Sequence, residues 1–427
     1  MQSKSSLPAK TWIAIILLGF SGQLAWGVEN QYYNTFMYNK ITPDPRPISW
    51  MVAASAVAAT LTTILMGTLS DRTRSGWGRR RPFIVFGYLA WGIFTAIYPL
   101  ASFFHPVMLA VGMAILFDCI MTFFGSTAND ASLNAYITDV TSTENRGRVM
   151  SVVELLTWVA ILVVYGGSGP IIDKLGYFVF FYAIGGLVLV LGLVGSFFIH
   201  EEPIAEKPQG TYWGQLADSF HWKTLVENRE FFLVLLGISL WAIAQNIFFP
   251  YLIIYLQHYV QLDTTSSSIT IAACILIGGI ALAYPFGLLV DRWGRKPVAL
   301  LAVAAEMIGL ILFSLVKSLV PLIITGILWL GPLTAWTIAT GTWSKDLFPD
   351  DKRGQFAGFY LFFWVMLPMI LGPLTGGWLG TTYGIKTVID GQAAYIPTPL
   401  LFQVAGAATL LAAIPLFLTK KQKSTGK

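Results

Sequence analysis

Charge is what this sequence has least of. Asp, Glu, Lys and Arg make up 11% of its 427 residues, where an average soluble domain holds about a quarter. So few charges cannot solvate a chain of this length, which excludes an ordinary water-soluble globule. Cysteine is nearly absent. Cys119 and Cys274 both sit in apolar surroundings, which excludes a disulfide framework and reads as two small buried hydrophobes. The four histidines (His105, His200, His221 and His258) fall near the ends of apolar runs or in loops. No nucleophile–base motif or metal-ligand spacing accompanies them, so neither an enzyme, a metal site nor a bound cofactor is expected. The formal charge of +5 invites a nucleic-acid reading, but the basic residues lie in short turns and form no continuous face. No cleavable signal peptide is expected, because the apolar stretch after Lys10 outruns a signal core.

What the sequence has in quantity is apolar residues, 55% of the total, gathered into runs of about 20, the length that crosses a bilayer. Twelve helices are predicted, near 11–37, 48–70, 82–102, 107–137, 149–170, 177–199, 231–256, 266–290, 297–316, 319–343, 355–380 and 398–418. Helices and closed barrels alone satisfy their own backbone in lipid, and these runs lack the period-two alternation of barrel strands. The basic residues then orient the chain. Lys40, Arg46, Lys174, Lys317 and Lys386 fall in one set of loops, and every other Lys and Arg in the other set or at the termini. Both termini are therefore expected in the cytoplasm, with the chain in the cell (inner) membrane as a monomer. No Lys or Arg remains for the spans.

The longest polar stretch, 201–230, reads as a cytoplasmic linker between an N-terminal bundle (1–200) and a C-terminal bundle (231–427). The two halves echo each other. GTLSDRTRSGWGRRRP (Gly67 to Pro82) follows the second helix and GLLVDRWGRKP (Gly287 to Pro297) the eighth. Asp139 with Asn145-Arg146-Gly147 follows the fourth helix, and Asp346 with Lys352-Arg353-Gly354 the tenth. Gly169-Pro170 is predicted to end the fifth helix, and Gly372-Pro373 with Gly376-Gly377 lies on the eleventh, read as a kink with close packing.

The repeated Gly-x-x-x-Asp-Arg loop with its Gly-Arg-Arg/Lys end resembles the signature of the major facilitator superfamily. The longer first copy resembles the branch of sucrose transporters and glycoside–pentoside–hexuronide cation symporters. The resemblance implies an all-α membrane protein with twelve transmembrane helices in two pseudo-symmetric six-helix bundles. It also implies a solute site lined by the first, fourth, seventh and tenth helices. The sequence departs from that branch in two places. The second helix carries no acid and the fourth no arginine.

Asp71 and Asp291 end the second and eighth helices, where a carboxylate can meet a neighbouring helix N-terminus and arginines. Gly67 and Gly287, one turn earlier, would allow close helix contact. Together with Arg72, Arg79, Arg80, Asp139, Glu144, Arg146, Glu154, Arg292, Arg295, Asp346 and Arg353 they are read as a breakable cytoplasmic gate. The bland alternative is that these arginines only set topology.

Acids inside spans are functional candidates by default, because hydrocarbon penalises them. Glu29 on the first helix and Asp118 and Asp130 on the fourth are expected to couple transport to a cation, a proton ahead of sodium. On a regular helix Asp118, Thr122, Gly125, Asn129 and Tyr136 share one stripe, with Asp130 about 100° away. Gln23, Gly27, Asn30 and Asn34 form a polar stripe on the first helix, and Glu29 lies off it. Glu306 is set aside, since the ninth helix is a peripheral support in the family. Candidate solute contacts are Gln23, Trp26, Asn30, Asn34, Asn129, Trp241, Gln245, Asn246 and Trp336. Amides supply donors and acceptors without formal charge, and indole faces stack on sugar C–H surfaces. The competing reading is interhelical glue for the amides and packing for the rings, Trp329 and Trp343 above all. The expected function is cation symport of a neutral sugar or glycoside by alternating access. The alternative is proton-coupled efflux of a lipophilic or cationic compound.

Overall fold

A computed structural model describes residues 7–142, 145–201, 228–347 and 359–419. Its spans are α1 (Ala9–Ile41), α2 (Pro45–Arg72), α3 (Arg81–Phe103) and α4 (Val107–Val140), then a 52-residue stretch, Arg146–Phe197. After these come α7 (Arg229–His258), α8 (Thr264–Trp293), α9 (Arg295–Ser314), α10 (Leu319–Asp346), α11 (Phe359–Thr382) and α12 (Leu400–Phe417). A straight helix of 52 residues would be about 78 Å long, more than twice a bilayer's hydrocarbon core. The stretch breaks at Gly176, whose φ of 83° and ψ of 169° only glycine adopts at low cost. This makes α5 (146–175) and α6 (177–197), and twelve helices among the described residues.

The break corrects the expected end of the fifth helix at Gly169-Pro170. Pro170 lies inside the helix. Its ring removes one hydrogen bond but keeps a helical φ, whereas Gly176 leaves the helical region altogether. A second difference lies between α11 and α12, where the sequence reading had only a loop. Strands β1 (Ile385–Ile389) and β2 (Gln392–Ile396) pair antiparallel. They are joined by Asp390 and Gly391 at φ 49° and 76°, the double positive φ of a two-residue hairpin turn.

Four helices contain π-helical turns: α1 at Glu29–Tyr33 and Met37–Ile41, α4 at Ser126–Leu133, α8 at Ile275–Ala281 and α11 at Phe362–Met366. Each wider turn shifts the angular phase of the residues beyond it, so a stripe drawn at 100° per residue drifts off its face.

Two compact units separate: Met1–Thr42 with Ala54–Gly210, and Pro43–Ala53 with Thr211–Lys427. In the first, α1 and α3 pack on α5 and α6. A Cβ at Gly92 would stand 2.7 Å from the Gly185 carbonyl, and one at Gly185 2.5 Å from that of Gly92, so the two backbones touch. In the second, a Cβ at Gly372 would meet the Ile243 carbonyl at 2.7 Å, and Gly376 lies as close to that of Ile247. The Gly-Pro-x-x-Gly-Gly pattern therefore seats α11 against α7, the close packing the sequence suggested. Gly67 and Gly287 make no such close approach among the described residues. A Cβ at Gly67 would meet only Ala131 at 4.0 Å, and one at Gly287 no described atom within 4 Å. Large apolar side chains such as Leu61, Phe86, Leu288 and Ile324 stay exposed along the helices, as hydrocarbon-facing positions must.

Candidate functional site

In the first unit two intramembrane acids meet. Glu29 opens the first π turn of α1 and is 8% exposed, and Asp118 on α4 is 1% exposed. Glu29 Oε1 accepts from Ser55 Oγ at 2.8 Å and from Thr122 Oγ1 at 3.0 Å. The two hydroxyls are 3.2 Å apart. Asp118 lies one turn before Thr122 on α4, near enough to Glu29 for the two carboxyl charges to act on each other, and its Oδ1 is buried without a partner among the described residues. Helices α1, α2 and α4 thus bring four oxygen-bearing side chains together, and no Lys or Arg pairs with them among the described residues. The sequence reading placed Glu29 off the polar stripe of its helix. The structure buries it against Asp118 at the point where the π turn resets the phase.

Asp130 stands apart from that pair. Its carboxyl accepts from Ser126 Oγ at 3.0 Å and from Asn129 Nδ2 at 2.9 Å. Asn129 Oδ1 in turn accepts from Tyr88 at 3.3 Å, and a Cβ on Gly22 would lie 2.5 Å from it, so α1 fits closely here. Trp26 is half-buried, 4.8 Å centroid to centroid from Trp91. Gln23 is half-buried and Asn30 exposed. Asn30 and Asn34 donate to carbonyls one turn back, those of Trp26 and Asn30, both at 2.8 Å. Asn34 Oδ1 is buried without a partner.

Among the described residues the second unit holds one buried acid, Glu306 on α9, at 0% exposure. Trp241 Nε1 donates to its Oε2 and Gln245 Nε2 to its Oε1, both at 2.7 Å. Trp241 stacks on Trp336 at 5.6 Å and on Trp364 at 5.9 Å, and Tyr360 stacks on Trp364 at 6.0 Å. Asn246 is half-buried and donates to the Ala242 carbonyl at 2.9 Å.

The repeated loops form matching networks, each within its own unit. Gly78 and Gly294 both take positive φ, 103° and 85°, which turns the chain so that the next residue, Arg79 or Arg295, reaches an acid. Arg79 pairs with Asp139 at 2.7 Å, and Arg295 pairs with Asp346. The residues after them also correspond. Arg80 bonds Asp71 and Asp139 at 2.7 Å each, and its amide N–H donates to Glu201 at 2.9 Å, beyond the end of α6. Lys296 donates to the Thr419 carbonyl at 2.7 Å, beyond the end of α12. Burial pushes the Glu201 carboxyl above the usual glutamate range, against the backbone N–H groups and positive charges of Arg80 and Arg79. Arg146 donates to the carbonyls of Thr138 and Thr141 and to Thr141 Oγ1 at 3.2–3.4 Å, closing the end of α4. Arg72, Glu154, Asp291 and Arg292 are exposed. Glu144 and Arg353 lie outside the described residues.

A family model described as Major Facilitator Superfamily matches residues 11–284 and 270–427. The chain belongs to the major facilitator superfamily. Among solved structures, the nucleoside transporter NupG aligns at 14% identity with a TM-score of 0.73, covering 97% of this chain and 100% of NupG. A bacterial homolog of the human lysosomal transporter Spinster aligns at 14% identity and 0.69, covering 97% of each chain. The xylose transporter XylE from E. coli aligns at 15% and 0.67, covering 98% and 100%. These identities establish a shared fold alone. A comparison with curated proteins finds no significant match.

Within this superfamily chain the geometry brings forward three residues that the sequence does not mark and a fourth, Glu306, that it does. Ser55 shows no signal, since a lone serine in an apolar helix is ordinary. Trp364 and Tyr360 lie on a helix not expected to face solute. Glu306 carried a signal, an acid inside a span, and was discounted on family grounds. Its contacts are with Trp241 and Gln245, two of the nominated solute residues.

Proposed function

We propose that this transporter moves a neutral, hydroxyl-bearing small solute, a sugar or glycoside, by proton symport through alternating access. The observation that carries the reading is the Glu29–Asp118 pair. Two carboxyl groups buried this near each other, with no Lys or Arg beside them among the described residues, are held most cheaply with a proton on one of them. Two negative charges at that spacing in a dry interior would repel strongly. The pair therefore suits a site that takes up and releases one proton as water access alternates, with Ser55 and Thr122 holding the carboxylate in place. Asp130, bonded to Asn129, is the next station. A second reading, sodium, draws on the same four oxygen-bearing side chains, since a hard cation prefers oxygen ligands.

The solute class is supported by Gln23, Asn34, Gln245, Asn246, Trp26, Trp241 and Trp336, which bring amide and indole groups and no formal charge. The similar structures include transporters named for a nucleoside and for xylose, both hydroxyl-bearing compounds. We place the termini and the two loop networks in the cytoplasm. There Arg79, Arg80, Asp71 and Asp139 in one half and Arg295 and Asp346 in the other act as the breakable gate. Arg80 is buried, but the acids of these pairs stay a third to a half exposed, and ion pairs with one side open to water suit a contact that must open and close.

Counterflow into proteoliposomes with a panel of labelled sugars and nucleosides tests the class. A lumenal pH dye read on adding solute tests the ion, and a sodium requirement without a pH change would favour the second reading. Glu29→Gln and Asp118→Asn are expected to abolish uphill accumulation while exchange continues. Full accumulation in both variants would remove the coupling assignment.

A further inference from the structure

Resting on the reading that Gln245, Trp241 and Trp336 touch the solute, we propose that Glu306 is the positioning residue that sets the polarity of that contact. It holds Gln245 so that the amide turns its oxygen, not its nitrogen, toward the solute, which selects compounds that present a hydroxyl.

Donor and acceptor capacity fixes the arrangement. An indole N–H only donates and a carboxylate only accepts. Glu306 takes Trp241 Nε1 on one oxygen and Gln245 Nε2 on the other, each at 2.7 Å. With Trp241 Nε1 donating to Oε2, an ionised Glu306 offers Oε1 only as an acceptor, so in that state the Gln245 amide presents its nitrogen. Gln245 Oε1 is then left as a buried acceptor with no partner among the described residues, on a side chain 7% exposed. Trp336, stacked on Trp241 at 5.6 Å, is 0% exposed, and its Nε1 is a buried donor also without a partner among the described residues. An unmet donor and an unmet acceptor each cost about 1–3 kcal/mol in a dry interior. Hydroxyls of a neutral solute can give to the acceptor and take from the donor. Glu306 itself lies behind Trp241 and Gln245 as a support, and its two oxygens are already engaged.

The test uses the full-length protein in proteoliposomes with labelled xylose, methyl β-glucoside and uridine as probes. Glu306→Gln offers Gln245 a donor in place of an acceptor, so the Gln245 amide turns over and its nitrogen faces the solute. The expected result is a rise in KM of about tenfold or more with little change in maximal rate. Adding Gln245→Glu to Glu306→Gln restores an acceptor at that face and should return KM toward the parent value, which a merely structural role for Glu306 does not predict. If Glu306→Gln fails to accumulate, the double exchange variant decides alone: near-parental KM supports the proposal and lost transport overturns it. If Glu306→Gln keeps the parental KM while Gln245→Ala raises it, the Glu306 assignment is overturned and the proposed function stands. If Gln245→Ala and Trp241→Phe both leave KM unchanged, or no probe is carried, the solute-contact reading fails and this proposal falls with it.

Discussion

Single side chains in this chain are placed by what they can bond in the absence of water. Glu29 takes two hydroxyls, Glu306 takes an indole and an amide, and Asp130 takes a hydroxyl and an amide. Which spans hold acids was legible in the sequence, because charge in an apolar run stands out. Which acids meet was not, since that depends on three helices converging and on the π turn at Glu29. At the loop end, Glu201 joins α6 to the α2–α3 loop through the Arg80 amide. Its carboxyl titrates above the ordinary glutamate range in the folded chain because it is partly buried. The folded state therefore binds this proton more tightly than the unfolded state does. The resulting stabilisation is complete below the ordinary glutamate value of about 4.3 and is lost as pH rises through the raised value. Glu201→Gln, which mimics the protonated form, should flatten that part of the melting-temperature profile between about pH 4 and 7. An unchanged profile would show that the Glu201 proton is not linked to folding.

At the scale of elements, the helices were legible because hydrocarbon thickness and the lack of charge together leave little choice of length. The misses have physical causes. Pro170 reads as a stop, but a helix tolerates a proline whose φ fits, and the true break needs a residue free to take φ 83°, which is Gly176. Gly176→Ala is accordingly expected to cost about 1–3 kcal/mol, visible as a lower melting temperature in detergent. Pro170→Ala should be neutral or mildly stabilising at the same readout. The reverse ranking would move the α5–α6 corner back to the proline. The β1–β2 hairpin escaped notice because its strands are short and stand in a connection between two spans, although Asp390-Gly391 is the dipeptide that favours a two-residue turn. The π turns leave no mark in composition, and they are where stripes drawn at a fixed angle lose their way.

For the whole molecule, the duplicated loop was the most informative stretch of sequence, and the structure gives it a common geometry. Trp77-Gly78-Arg79 and Trp293-Gly294-Arg295 each pair a left-handed glycine with an arginine that reaches the acid near the end of the fourth or the tenth helix. The basic residues crowd around these two loops, and the β1–β2 hairpin carries Lys386 on the side with few. A cysteine replacing Lys386, in a chain freed of Cys119 and Cys274, should react with an impermeant maleimide added to intact cells. One replacing Arg74 should react only after the membrane is opened. The opposite pattern would invert the topology.

One boundary has a consequence for any attempt to divide the protein. Residues 43–53 precede the bulk of α2 in sequence yet belong to the second unit. There the Pro43 carbonyl accepts from the Tyr395 amide at 3.0 Å, and the Pro45 carbonyl from Tyr251 at 3.3 Å. Severing the polypeptide between Glu201 and Asn228 would therefore yield unequal products. The front fragment keeps Asp71, Arg79, Arg80, Asp139 and Glu201 together, while the rear fragment is deprived of a piece of its own packing. Made alone, the rear fragment should be degraded, and co-synthesis with the front fragment should rescue it into a complex that survives affinity purification.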